Sequence, residues 1–135
     1  MVRINKLYDL AEKENIKIYD YNISEIFGMF INIGKINAIT LSPSLSSFEE
    51  RATLAEELGH YYCNALYNIH SDLETIRKKE YRARKWAFKT LVPPSYLSML
   101  EEEGCKYSYE VANELGVSEN LVNTAYPYYK ANNYI

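Results

Sequence analysis

Ala55-Glu56-Glu57-Leu58-Gly59-His60 decides the reading of this chain, because it carries a metal-site helix pattern with one position changed. In His-Glu-x-x-His, two imidazoles at i and i+4 share one helix face and hold Zn²⁺. The Glu after the first His acts as general base on the metal-bound water. Glu57 and His60 stand at the base and second-ligand positions, while Glu56 stands where the first His belongs. Carboxylate oxygen is an accepted zinc ligand. The segment therefore reads either as a working Glu-Glu-x-x-His site or as the relic of one.

Its surroundings sharpen the reading. Gly59 removes a side chain beside His60, which predicts the close approach of a neighbouring element. Downstream, Glu80-Tyr81-Arg82-Ala83-Arg84-Lys85-Trp86-Ala87 puts Glu80, Ala83 and Ala87 at i, i+3 and i+7, an acid followed by small residues on one helix face. Such a face lets two helices pack closely and lets Glu80 reach a metal held by the first. A third protein ligand leaves a fourth position for water, as a catalytic site requires.

Outward from this pair, residues 3–14 place Ile4, Leu7, Leu10 and Ala11 at helical spacing. Ile16 to Asp20 alternates as a strand, and two more strands, 26–33 and 36–41, flank a Gly34-Lys35 turn signal. Together they predict a small antiparallel sheet. After the break at Ser42-Pro43-Ser44, Ser47 and Glu50 have the spacing of a capping box. Leu54, Leu58, Tyr61, Tyr62, Ala65 and Leu66 then form a helical core stripe. Residues 68–72 are a polar connection; a second helix spans about Leu73 to Leu91 and stops at Pro93-Pro94, and a third runs from near Ser95 to Gly104.

The tail from Tyr107 to Tyr126 has a helix-turn-helix pattern: Ala112 at a close crossing, Gly116 at the turn, and Val117, Leu121, Val122 and Ala125 as buried contacts. Its chemistry is poor for DNA. Residues 101–135 hold six Glu against Lys106 and Lys130, and 118–126 has no Lys or Arg. A reading helix needs donors for phosphate and base edges, so this one is expected to be structural.

Length and composition set the frame. A chain of 135 residues, 47% apolar and 24% charged, suits one globular domain, and a net charge of −3 argues against a general nucleic-acid binder. The 14 Tyr are read as compositional bias. Cys63 and Cys105 are too few for a disulfide scaffold and read as reduced thiols. Met1 to Leu10 has no signal-like apolar run and no stretch reaches membrane-spanning length. The expectation is a cytoplasmic protein without membrane or nucleic-acid partners.

The two spaced motifs resemble the ImmA/IrrE family of metallopeptidases, found on phages and mobile elements and in stress-response systems. That family carries His-Glu-Leu-Gly-His on one helix and Glu-x-x-Ala-x-x-Phe-Ala-x-x-Leu-x-x-Pro on the next. This chain supplies residues 51–62 for the first, and for the second Glu80, Ala83, Trp86 in place of Phe, Ala87 and Leu91-Val92-Pro93. The resemblance runs from about Ile36 to Pro94. It implies an α+β, zincin-like minimal metallopeptidase domain over residues 1–100, with a helical tail over 101–135 packed on it. It also implies His60 and Glu80 as metal ligands, Glu56 as the substituted third ligand, and Glu57 as general base.

Two carboxylates and one imidazole balance the charge of Zn²⁺, so bound water is acidified less than by two His and one Glu, and Mn²⁺ or Fe²⁺ is better tolerated. The implied role is cleavage of a helix-turn-helix repressor of a prophage or mobile element, an anti-repressor activity. The alternative is a catalytically silent module of the same fold that binds metal or repressor. Cys63, at i+3 from His60, is a further candidate ligand, although such a Cys is more often a small core residue. His70 in the connection is another, although a lone loop His is usually solvated. Arg77-Lys78-Lys79 with Arg82, Arg84, Lys85 and Lys89 reads as a solvated face with local ion pairs, able also to draw in an acidic segment.

Overall fold

The computed structural model describes residues 3–68 and 70–135. Met1, Val2 and Ile69, the last within the expected 68–72 connection, lie outside the described residues. The architecture is α+β. The described chain folds as α1 (Ile4–Lys13), β1 (Ile16–Asp20), β2 (Gly28–Ile33), β3 (Ile36–Leu41), α2 (Ser47–Tyr62), α3 (Leu73–Leu91), α4 (Pro94–Glu102), α5 (Ser108–Leu115) and α6 (Glu119–Ala131).

The sheet corrects the expected strand arrangement. Its order is β1-β3-β2. β2 and β3 form the anticipated hairpin, with Ile33 opposite Ile36 across Gly34-Lys35. β1 runs parallel to β3, with Ile18 opposite Ile39, so the sheet is mixed and not antiparallel throughout. The cause is topological. Residues 21–27 carry the chain to the far edge before β2 begins, and the hairpin then returns β3 into the middle in the direction of β1. Only a tight connection forces successive strands to pair.

α2 starts one residue earlier than its Ser-Glu spacing suggested. Ser46 is the extended N-cap; its Oγ accepts from the Glu49 backbone N–H at 3.2 Å, and the Glu49 carboxylate accepts from the Ser46 N–H at 3.0 Å. Glu50 is engaged elsewhere, accepting from the Tyr8 hydroxyl at 3.2 Å. Leu54, Ala55 and Leu58 of α2 are buried in one core with Leu7 of α1, Ile39 and Leu41 of β3, and Phe88 and Leu91 of α3.

The tail joins that same core through Val117, Ala125 and Tyr129. α5 ends at Gly116, whose left-handed φ of 66° turns the chain into α6. α6 continues past Tyr126 through Pro127, although an internal Pro removes a hydrogen bond and costs about 3 kcal/mol. Tyr129 offsets that cost. It is fully buried and its hydroxyl donates to the Val92 carbonyl at 2.7 Å. Arg51 of α2, also buried, donates to the Gly116 carbonyl and so ties the tail's turn to the helix that carries the Glu-Glu-x-x-His segment.

Candidate metal centre

The site is built on the seam between α2 and α3. A Cβ placed at Gly59 would fall 2.5 Å from the Ala83 carbonyl oxygen and 3.1 Å from the Ala83 Cα. Only a glycine opposite a small residue permits that approach. The pair sets the helix separation from which His60 and Glu80 reach each other, His60 Nε2 lying 3.4 Å from Glu80 Oε1.

His60 is held by the way α2 stops. Asn64 adopts a left-handed φ of 49°, the Ala65 N–H bonds back to the His60 carbonyl at 2.8 Å and the Asn64 N–H to the Tyr61 carbonyl at 3.1 Å. This is a Schellman closure, and it delivers the Ala65 carbonyl to His60 Nδ1 at 2.8 Å. A carbonyl only accepts, so Nδ1 carries the proton and Nε2 is aimed at Glu80. Metal-bound imidazoles are oriented by this kind of bond on the far nitrogen. Sequence reasoning missed Asn64 and Ala65, although an Asn just past a helix end is a recognisable stop signal.

Glu80 accepts from the Tyr67 hydroxyl through the same oxygen that faces His60. Tyr67 also stands edge-on to the imidazole, with ring centroids 6.0 Å apart. It too went unpredicted, because nothing in its local sequence marks it. Its loop is fastened by the basic residues of α3: Lys79 donates to the Leu66 carbonyl, and Arg82 to the Cys63 carbonyl at 2.8 Å. Part of the expected solvated face is thus a set of braces. Contact with His60 holds the Glu80 carboxyl below its usual range against the opposing effect of burial, helped by Tyr67 and Arg84. Hydrogen bonding to Glu80 pushes the Tyr67 phenol up to about 12.

Glu57 lines the same cleft, of about 370 Å³, together with His60, Glu80, Tyr67 and residues 28–30 of β2. Burial pushes its carboxyl up to about 7, against the lowering effect of His60; Glu80 and Glu56 add to the rise, and a bond from the Phe30 backbone N–H opposes it. For His60, burial pushes the imidazole down, but Glu80, the Ala65 carbonyl and Glu57 together outweigh it and the net shift is upward. The cleft therefore holds a proton-retaining acid in Glu57, an imidazole whose hold on its proton is strengthened, and a carboxylate in Glu80 kept ionised.

Glu56 is placed differently from the other three. It does not line this cleft; its Oε1 lies 3.3 Å from Arg84 Nε on α3. Cys63 donates weakly to the Arg82 carbonyl, with 3.7 Å between Sγ and oxygen, and His70 is exposed; neither lines the cleft. Among the described residues no three His, Cys, Asp or Glu side chains gather closely enough to share an ion. The donors that do fit a divalent metal are His60 and Glu80. Their 3.4 Å separation matches the spacing of about 3.4 Å between two donors each about 2.1 Å from one tetrahedral ion.

A mixed sheet, a Glu-Glu-x-x-His helix lying against it and a second helix bringing a carboxylate to the imidazole together define a small zincin-like domain of metallopeptidase type. The chain belongs to the peptidase family described as the IrrE N-terminal-like domain, which it matches over residues 4–125. That family is metal-dependent in general. The match takes in α1 and most of the tail, well beyond the two motif helices. No curated protein and no solved structure is a match to this chain. No helix among the described residues is long and apolar enough to cross a membrane.

Proposed function

We propose that this protein is a zinc-dependent endopeptidase whose substrate is a helix-turn-helix repressor of a prophage or mobile element. The observation that carries the reading is the convergence of Glu57, His60 and Glu80 on one cleft beside the β2 edge. His60 and Glu80 would hold the metal; Glu56, the third ligand the motif implies, would join them only when released from Arg84. Zn²⁺, or Mn²⁺ or Fe²⁺ in a carboxylate-rich set, supplies Lewis acidity to water and to a peptide carbonyl.

Around it the protein's own groups have distinct tasks. The Ala65 carbonyl fixes the imidazole, Tyr67 steadies Glu80, and Glu57, facing the same cleft, accepts and returns a proton. The outer edge of β2, apart from the Phe30 N–H engaged by Glu57, offers backbone groups to an extended peptide, while Met29 and Ile26 give the cleft an apolar wall. In this reading the acidic tail is structural and the protein acts in the cytoplasm without nucleic acid.

The ion pair of Glu56 with Arg84 favours a second reading, a catalytically silent module that binds the repressor without cutting it. Co-expression with the repressors of neighbouring elements separates the two. Cleavage by the metal-loaded parent but not by Glu57→Gln supports the peptidase. Stable co-purification with uncut repressor in both cases supports the binding module.

A further inference from the structure

Two cross-helix contacts join α2 and α3 one turn apart. His60 meets Glu80 at 3.4 Å and Glu56 meets Arg84 at 3.3 Å, each helix contributing residues at i and i+4. The first contact faces the cleft; the second does not. At the motif's first ligand position the chain has exchanged an imidazole for a carboxylate, and directly across from that carboxylate it presents a guanidinium. The geometry points to Arg84 as a residue that withholds a ligand: by pairing with Glu56 it keeps that carboxylate off the metal, so that the ion is held by His60 and Glu80 alone and exchanges readily. The inference rests on the metal site of the proposed function and adds what controls its occupancy.

The physical argument is a competition. Glu56 has one carboxylate and two suitors. Arg84 is covalently present at all times, planar and unable to lose its proton. A divalent ion must come from solution, displace the guanidinium and then sit near its unpaired charge. The pair is partly exposed, with the Arg84 and Glu56 side chains 50% and 35% accessible. Such a pair is weak enough to be opened, which makes Arg84 a tunable brake and not a permanent block.

The test is zinc affinity by chelator competition at fixed pH on the full chain, with Co²⁺ absorption as a second readout of coordination. Arg84→Gln should tighten zinc binding about tenfold or more, the scale of an outer-shell effect on a metal site, and should change the Co²⁺ spectrum. Adding Glu56→Gln to it should cancel the gain, and Arg84→Lys, which keeps a cation, should stay near the parent. Because Arg84 is half-exposed these variants should fold, which circular dichroism without metal verifies. A parent that binds zinc and an Arg84→Gln variant that binds it no better would overturn the inference while leaving the metal reading intact. A fall in the parent's affinity on Glu56→Gln alone would also overturn it, since Glu56 would then already be a ligand. If the parent, Arg84→Gln and Glu56→His all bind no zinc, the inference and the metal reading fall together.

Discussion

Gly59 and Ala83 stand so close across the α2–α3 seam that a single added carbon at residue 59 would collide with the Ala83 carbonyl at 2.5 Å. The obstacle is backbone, so it cannot be cleared by rotating a side chain. Gly59→Ala would gain about 1 kcal/mol in helix propensity, yet overpacking of this kind typically costs about 1–3 kcal/mol. The expected result is a net loss of about 1 kcal/mol and a melting temperature lower by a few degrees. His60 adjoins Gly59 and Glu80 lies one turn from Ala83, so metal affinity should fall as well. Thermal unfolding and chelator competition measure both; a stabilised variant with unchanged affinity would show that the seam has slack.

The seam also shows how the sequence was informative. Gly59, Ala83 and Ala87 announced a close helix crossing because small residues at helical spacing have few other uses. The partners of Glu56 and His60 were not equally readable. His60 and Glu80 belong to spaced motifs, whereas Glu56 and Arg84 are 28 residues apart with no pattern linking them. The two hairpin strands were legible from their turn, but the parallel placement of β1 depends on where residues 21–27 travel, which local propensity does not encode. Likewise the Tyr67–Glu80 bond arises from a loop fastened by Lys79 and Arg82, a tertiary arrangement without a local signature.

Glu57 makes a prediction about pH. Its carboxyl is raised from the ordinary 4.5 to about 7, so the folded state binds its proton more tightly than the unfolded chain does. That contribution to stability is fully present below pH 4.5, fades as pH rises through 7, and is gone above it; the shift corresponds to about 3 kcal/mol. The raised imidazole of His60 acts in the same direction. In metal-free protein Glu57→Gln should therefore flatten the decline in stability between pH 5 and 8 and be more stable than the parent at pH 8. Denaturant unfolding across this range measures it, and a parent whose stability is constant from pH 5 to 8 would contradict the buried, proton-holding environment. In the metal-loaded protein the same substitution should leave metal content intact and lower peptidase activity about 10²–10⁴-fold. Loss of metal instead would mean that Glu57 is a ligand.

The tail should not bind DNA. The α5–Gly116–α6 unit has the geometry of a reading module, but its Val117, Leu121, Val122 and Ala125 are buried. The exposed positions at the start of α6 are Glu119, Asn120 and Asn123. An acid with two amides offers little against phosphate repulsion. A mobility-shift titration at low salt is expected to show no binding below micromolar concentrations. Tight, salt-sensitive binding that is lost on substitution within 118–126 would assign the tail a nucleic-acid role.

Glu56→His tests the changed ligand position directly. An imidazole at residue 56 shares the face of His60 one turn away and, unlike a carboxylate, has no attraction to the Arg84 guanidinium. It should turn towards the cleft, complete a set with His60 and Glu80, and return the site to a net positive charge. Zinc should then bind more tightly, and bound water should lose its proton more readily near neutral pH. Glu56→Ala is the control: with Glu56 already engaged by Arg84, its removal should change zinc affinity little. Chelator competition on the three proteins, followed by cleavage of a co-expressed repressor, gives the readouts. If the His variant binds zinc no better than the Ala variant, residue 56 does not reach the metal, and the helix face assigned to the motif is wrong. If the His variant binds zinc tightly and still leaves every co-expressed repressor intact, the peptidase reading gives way to the binding module, because the missing ligand would then not be what silences the site.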